Sequence, residues 1–193
     1  MIANLSLILS LLLFMLIVIV VVRAIISKQK IIGKPPIPVL FFILAKLCVL
    51  INLVFLVIYG LRIKVTKIFE PPVFIEIIAL LSLLLGVILL FQSTIRLNKD
   101  LIFGLSDSDN HKLQTRGIYA LSRHPFYLGF ILILFSSCLF TPDYINLSAF
   151  IGAWVIHHFI MIKEEQSLEH QYGDEYRQYK KSVSRYVNLK RKP

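Results

Sequence analysis

Five stretches of this chain are apolar for long enough to commit it to a membrane. They are residues 2–22, 39–61, 73–91, 127–140 and 147–162. At 1.5 Å rise per residue the first three reach or approach the roughly 30 Å hydrocarbon thickness of a bilayer as helices. The last two fall short of the ~20 residues a full span uses, so their neighbours must also be helical and are drawn down to the membrane surface. Composition agrees: 57% of the 193 residues are hydrophobic and the mean hydropathy is +0.77, against roughly 45–50% apolar in soluble domains. The formal charge of +10 sits in short islands between apolar runs. Basic loops held against anionic lipid account for it, and nucleic acid is not the expected partner.

Residues 2–22 have no basic residue ahead of them and no small-residue cleavage site behind, so they are expected as a retained span rather than a signal peptide. Residues 141–146 read as a tight turn joining the last two spans into a helical hairpin. With five spans and the N-terminus outside, Arg23, Lys28, Lys30, Lys34, Arg96, Lys99, Lys112, Arg116, Arg123 and the basic residues from Lys163 to Lys192 fall inside. Only Arg62, Lys64 and Lys67 fall outside. This bias predicts a cytoplasmic C-terminus. Lys46 lies within the second span. The expectation is an all-α polytopic membrane protein with about five transmembrane helices and a cytoplasmic C-terminal helix. It forms one integral membrane domain over residues 1–193, with three spans in 1–91 and the functional half in 92–193. Residues 104–110 read as a flexible part of the loop before the fourth span. Cys48 and Cys138 fall inside apolar runs, at neither disulfide-framework nor metal-ligand spacing, and no metal is expected.

The polar run at residues 113–129 is out of place beside a span. Pro125 suits the first turn of a helix, because its missing N–H would be unpaired there anyway. A helix starting at Pro125 turns its positive end to the membrane surface, where an anionic group can sit beside Arg123 and His124. Tyr119, Phe126 and Tyr127 add aromatic faces that can stack on a base or attract a cation. An anion, a cation and a flat ring bound together describe a zwitterionic, nucleotide-like cofactor. The same residue types also serve as interfacial anchors at span ends.

A second run, 163–179, follows the last span. Leu168, Tyr172, Tyr176, Tyr179 and Val183 recur at helical spacing, and the tyrosines read as packing residues. Gly173 costs such a helix stability. Glu164 and Glu165 stand at the end of the last span, where carboxylates would oppose a helix C-terminal dipole. They are expected to meet Arg123, Arg116 or a ligand's amine and hydroxyls, the alternative being solvated surface charge.

The run from Arg123 through His124, Pro125, Phe126, Tyr127 and Leu128 to Gly129, followed by Glu164, Glu165, Leu168, Tyr172, Gly173 and Tyr176, resembles the isoprenylcysteine carboxyl methyltransferase family. That family shares a superfamily with phospholipid N-methyltransferases, and the resemblance covers roughly residues 111–185. It implies an S-adenosylmethionine site lined by His111, Lys112, Leu113, Gln114, Tyr119, His124, Pro125, Phe126, Tyr127 and Glu164. Arg123 and Glu165 are candidates for orienting the acceptor or the cofactor. It further implies methyl transfer to a lipophilic acceptor: an isoprenylcysteine carboxylate, a lipid or a thiol. The implied partners are a lipophilic or lipidated substrate and membrane lipids, with no obligate protein partner. The membrane would be the cell membrane in a prokaryote or the endoplasmic reticulum in a eukaryote.

The sequence departs from that pattern in two places. Isoprenylcysteine enzymes carry a substrate-contacting arginine four residues before the first glutamate, where this chain has Ile160. Their closing Arg-Val-Pro is here Ser182, Val183, Ser184. A carboxylate acceptor therefore lacks its expected cation. Sterol-reductase-type membrane enzymes share a similar Arg-His-Pro element and use NADPH, which leaves a reductase as an alternative. A small transport or scaffold protein is a third reading, for which the only intramembrane charges the spans offer are Lys46 and, near one end, Glu76.

Overall fold

The computed structural model describes residues 1–26, 35–97 and 113–188. Among them, regular structure is entirely helical. The helices are α1 (Ile2–Ile26), α2 (Val39–Gly60), α3 (Val73–Leu97), α4 (Pro125–Phe140) and α5 (Tyr144–Ser182), with a 3-10 turn at Gly117–Ala120 before α4. Three of these are long and apolar enough to cross a membrane: Val39–Gly60, Val73–Arg96 and Tyr144–Ser182, while Pro125–Phe140 is a shorter apolar helix. The protein is thus an all-α membrane protein. The apolar part of α5 ends at Ile162, and charged residues begin at Lys163.

These helices are apolar on all sides, so greasiness does not choose the buried face. Small and polar residues do, because lipid tails compete equally for leucine and favour no helix pair. The buried face of α2 is Ala45, Val49, Asn52, Leu56 and Gly60, while Leu40, Phe41, Leu47, Leu50 and Val54 are exposed and face the bilayer. Asn52 anchors a polar knot between helices. Ser137 of α4 donates to its backbone carbonyl at 2.7 Å, and the Asn146 amide of α5 donates to Ser137 Oγ at 3.2 Å and to the Thr141 carbonyl at 3.0 Å. Cys138 lies in the same knot, 3.7 Å from Asn52 Oδ1, and both cysteines are free thiols.

The tightest seam joins α3 to α4. A Cβ placed on Gly86 would lie 2.8 Å from the Gly129 carbonyl oxygen, and one on Gly129 would lie 2.8 Å from the Gly86 carbonyl oxygen. Only hydrogen fits on either side. Ser82 adds a cross-helix hydrogen bond to the Leu132 carbonyl at 2.9 Å.

The expected hairpin is present. α4 ends at Phe140 and α5 starts at Tyr144, with the Asp143 carboxylate accepting from the Ile145 and Asn146 amides at 2.8 and 3.3 Å as an N-cap. α5 then continues for 39 residues, well past the apolar stretch. Its course breaks at Gly173, whose φ of 53° and ψ of −123° are non-helical. Beyond the break, Arg177 and Lys180 reach back to Glu169 at 3.4 and 3.1 Å. Residues 183–188 then fold against the segment before α4. The Arg123 amide donates to the Ser184 carbonyl at 3.0 Å and the Asn188 amide to the Leu121 carbonyl at 2.7 Å. Ser122 Oγ donates to the Arg185 carbonyl at 2.9 Å. This strap clamps the start of α4 onto α5.

Candidate functional site

The two runs singled out in the sequence meet where the start of α4 crosses α5. Pro125 is the first residue of α4 and His124 its N-cap. His124 makes no capping bond with its side chain, because its ring is turned toward α5. Its Nε2 lies 3.2 Å from Glu165 Oε1. A carboxylate can only accept, so Nε2 carries the hydrogen. Its Nδ1 faces Glu164 Oε2 at 3.9 Å. Burial holds the His124 imidazole below its ordinary range despite the hydrogen bond with Glu165, so the ring is neutral near pH 7.

Glu164 and Glu165 are sequence neighbours with opposite surroundings. Glu165 is 2% exposed and surrounded by cations. Arg185 donates to it through Nε at 2.8 Å and Nη2 at 3.0 Å, and Arg123 Nη2 lies 3.1 Å away. Burial alone would push this carboxyl up. The hydrogen bonds from Arg185 and His124 and the Arg123 charge outweigh it and hold it down to about 2. Glu164 instead accepts a hydrogen bond from the Tyr127 hydroxyl at 2.5 Å. Burial pushes it to about 7, with Tyr127 and Lys46 opposing and Glu165 adding to the rise. One turn of chain therefore holds a permanently ionised carboxylate and one poised at neutrality.

The dipole argument against this pair does not apply. It assumed that the helix stops near the glutamates, whereas α5 runs on to Ser182, which places both carboxylates in a helix interior.

The other expected residues divide into groups. Tyr127 is central: its ring lies 5.8 Å from the His124 ring and 6.1 Å from Phe126. Phe126 also packs on Phe130 at 5.2 Å. Tyr119 is 8% exposed and belongs to a neighbouring cluster with Ile118, Tyr176, Tyr179 and Val183, against which Leu113 packs. The Tyr179 hydroxyl donates to the Tyr119 carbonyl at 2.7 Å, so the tyrosines expected as packing do pack. Gln114 is half-buried. His111, Lys112 and the loop 104–110 lie outside the described residues.

Two residues were missed from sequence. Arg185 looked like one more basic residue in a basic tail, and nothing in its spacing sets it apart. His157 falls within the last apolar stretch and was given no role, although an ionisable group at that depth is itself a signal.

Some donors remain unspent. Arg123 Nε and Nη1 and the Tyr176 hydroxyl are buried without a hydrogen-bond partner among the described residues. Arg123, Arg185 and Glu165 sum to one positive charge when His124 is neutral, so the cluster has room for one anionic group. Glu164 can take an ammonium or ribose hydroxyls, and the rings of Tyr127 and Phe126 can face a sulfonium. This residue set fits a zwitterionic sulfonium nucleoside.

Comparison with known proteins points the same way. Residues 74–175 match the family model described as phospholipid methyltransferase, which takes in α3, α4 and most of α5. The chain is 34% identical over 116 residues to methanethiol S-methyltransferase 1 of Bradyrhizobium diazoefficiens, covering 55% of this chain and 40% of that protein. It is 36% identical over 77 residues to protein-S-isoprenylcysteine O-methyltransferase of Homo sapiens, covering 39% of this chain and 27% of that one. The Schizosaccharomyces pombe protein of the same name is 32% identical over 81 residues, covering 42% and 34%. The chain thus spans less than half the length of each of these relatives.

Proposed function

Because this chain belongs to the phospholipid methyltransferase family, we propose that it transfers a methyl group from S-adenosylmethionine to a lipophilic acceptor, a thiol fitting best, at the cytoplasmic face of its membrane. The single observation that carries the reading is the pairing of Tyr127 with Glu164 beside His124. It joins the motif at the start of α4 to the carboxylate pair on α5 in one buried polar site. The family match favours this reading over an NADPH reductase or a scaffold.

When bound, the sulfonium cofactor supplies an electrophilic methyl group to a nucleophile held in line behind it. Glu164 and Tyr127 would hold its polar end, and the rings of Phe126 and Tyr127 would offer their faces to its positive charge. The unspent donors of Arg123 offer a carboxylate partner. His124, Pro125, Tyr119, Leu113 and Gln114 line or support the site, and His111 and Lys112 are assigned to it from the motif. Glu165 acts through others: it fixes Arg123, His124 and Arg185 in place. Reaction at a bilayer-embedded site needs alignment near 3–3.5 Å and exclusion of water, both of which packed helices provide.

Position 160 supports a choice of acceptor. Ile160, 1% exposed, stands where the resembling isoprenylcysteine enzymes place an arginine. No guanidinium at that position greets a carboxylate, which suits a neutral acceptor that enters from lipid. The methanethiol relative is named for a thiol acceptor.

Calorimetry in detergent tests the site. The protein is expected to bind S-adenosylmethionine, and Glu164→Ala to weaken binding by about tenfold to a hundredfold, the worth of one or two hydrogen bonds to a charged group. Tyr127→Ala should fall in the same range. Radiolabelled methyl transfer into a panel of thiols and lipids identifies the product. A folded protein that binds no cofactor sinks the reading.

A further inference from the structure

His157 is an ionisable residue in the apolar part of α5, 6% exposed, with no part in the polar cluster described above. It lies seven residues before Glu164, two turns away on the same helix face and about 10 Å deeper into the apolar region. Its Nδ1 is 2.7 Å from the Ala153 carbonyl oxygen. A carbonyl can only accept, so Nδ1 carries the hydrogen and the neutral ring presents Nε2 as a bare acceptor. The ring lies 5.7 Å from that of Tyr127, whose hydroxyl is bonded to Glu164. Tyr127 therefore stands between Glu164, which its hydroxyl reaches, and His157, which its ring contacts. Lys46 of α2 has its Nζ over the Phe42 ring, 4.9 Å from the centroid.

We propose that His157 Nε2 is the proton acceptor for a thiol substrate that enters from the bilayer. This rests on the methyltransferase reading and adds the chemistry of its acceptor side. A carboxylate acceptor needs no base, whereas a thiol must lose its proton. The S–H pair stays on sulfur and the proton goes to Nε2. The sulfur–methyl bond forms as the donor's sulfonium–methyl bond breaks, leaving two neutral thioethers, and the proton is then released to water.

Other nearby groups are already committed. His124 donates its Nε2 hydrogen to Glu165, Glu164 accepts from Tyr127 at the polar end, and His158 Nδ1 is hydrogen-bonded to Tyr186 at 2.6 Å.

The test uses acceptors that differ in acidity. At about pH 8 thiophenol is largely ionised and hexanethiol largely protonated. His157→Asn keeps an amide that can donate to Ala153 but removes the base. Calorimetric affinity for S-adenosylmethionine should stay within about twofold of wild type. Hexanethiol turnover should drop about 100-fold, the low end for general-base catalysis, while thiophenol turnover changes less than about threefold. Equal losses with both thiols, at intact cofactor affinity, would make His157 a packing residue and overturn the proposal, as would no loss with either. Should His157→Asn fail to bind the cofactor, His157→Gln takes its place in the same comparison. A wild-type protein that neither binds cofactor nor methylates either thiol sinks the parent reading, an outcome distinct from failure in the variant alone.

Discussion

Glu164 and Glu165 show how little a residue's sequence neighbourhood says about its charge. One residue of helix rotation turns Glu165 to three cationic or donating side chains and Glu164 to a tyrosine. Their stability linkages have opposite signs. Glu165 is depressed to about 2 from 4.5, so its contribution is complete above the unfolded value and is lost as pH falls from about 4.5 toward 2. Glu164 is raised from 4.5 to about 7. The native state holds its proton more tightly, so its contribution is present below about 4.5 and is lost as pH rises through about 7. For function the consequence is a proton count. A ligand ammonium or ribose prefers the ionised form, so cofactor binding near pH 6.5 should release protons and tighten as pH rises toward 8. Calorimetry in two buffers of different ionisation enthalpy measures this. Buffer-independent heats together with a flat affinity would contradict it.

At the scale of elements, the apolar stretches, the start of α4 at Pro125 and the hairpin turn were legible, because hydropathy, proline and an Asp cap act locally. The partnership of Arg123 with Glu165 was also legible as an expectation, since two unfavourable charges near one membrane surface seek each other. The length of α5 was less so: a polar extension of a span has no hydropathy signal, and Gly173 correctly warned of a break without fixing its geometry. The strap over residues 183–188 was invisible, because its bonds to Leu121, Ser122 and Arg123 are largely made by backbone groups. So was the glycine contact between α3 and α4, since a glycine in an apolar run does not announce its partner. That contact is testable. Gly129 lies two residues after Tyr127, and Gly129→Val must push α3 away or turn α4. The expected result is a loss of about 1–3 kcal/mol, the usual cost of overpacking, with cofactor affinity falling alongside the thermal midpoint. Unchanged affinity in a destabilised variant would show that the seam does not position Tyr127.

At the scale of the whole molecule, the paired glutamates, His124 and two arginines gather where the start of α4 meets α5. α5 carries both His157 and Glu164, and α4 sets Tyr127 against the two of them. The first two helices supply walls: α2 brings Lys46 and the Asn52 knot, while the family match begins at residue 74, in α3. This leaves α4, at 16 residues, as the shortest apolar helix described over its full length. It covers only about 24 Å at 1.5 Å per residue. A bilayer around it must thin, or the pocket must sink, so hydrophobic mismatch is built into the site. Acyl-chain length thereby becomes a control variable for the chemistry. Reconstituted in phosphatidylcholines of increasing chain length, the protein should turn over fastest in the thinner bilayers and slow in the thicker ones, at unchanged fold by circular dichroism. Rates independent of thickness would show that the bundle, rather than the lipid, sets the depth of Tyr127.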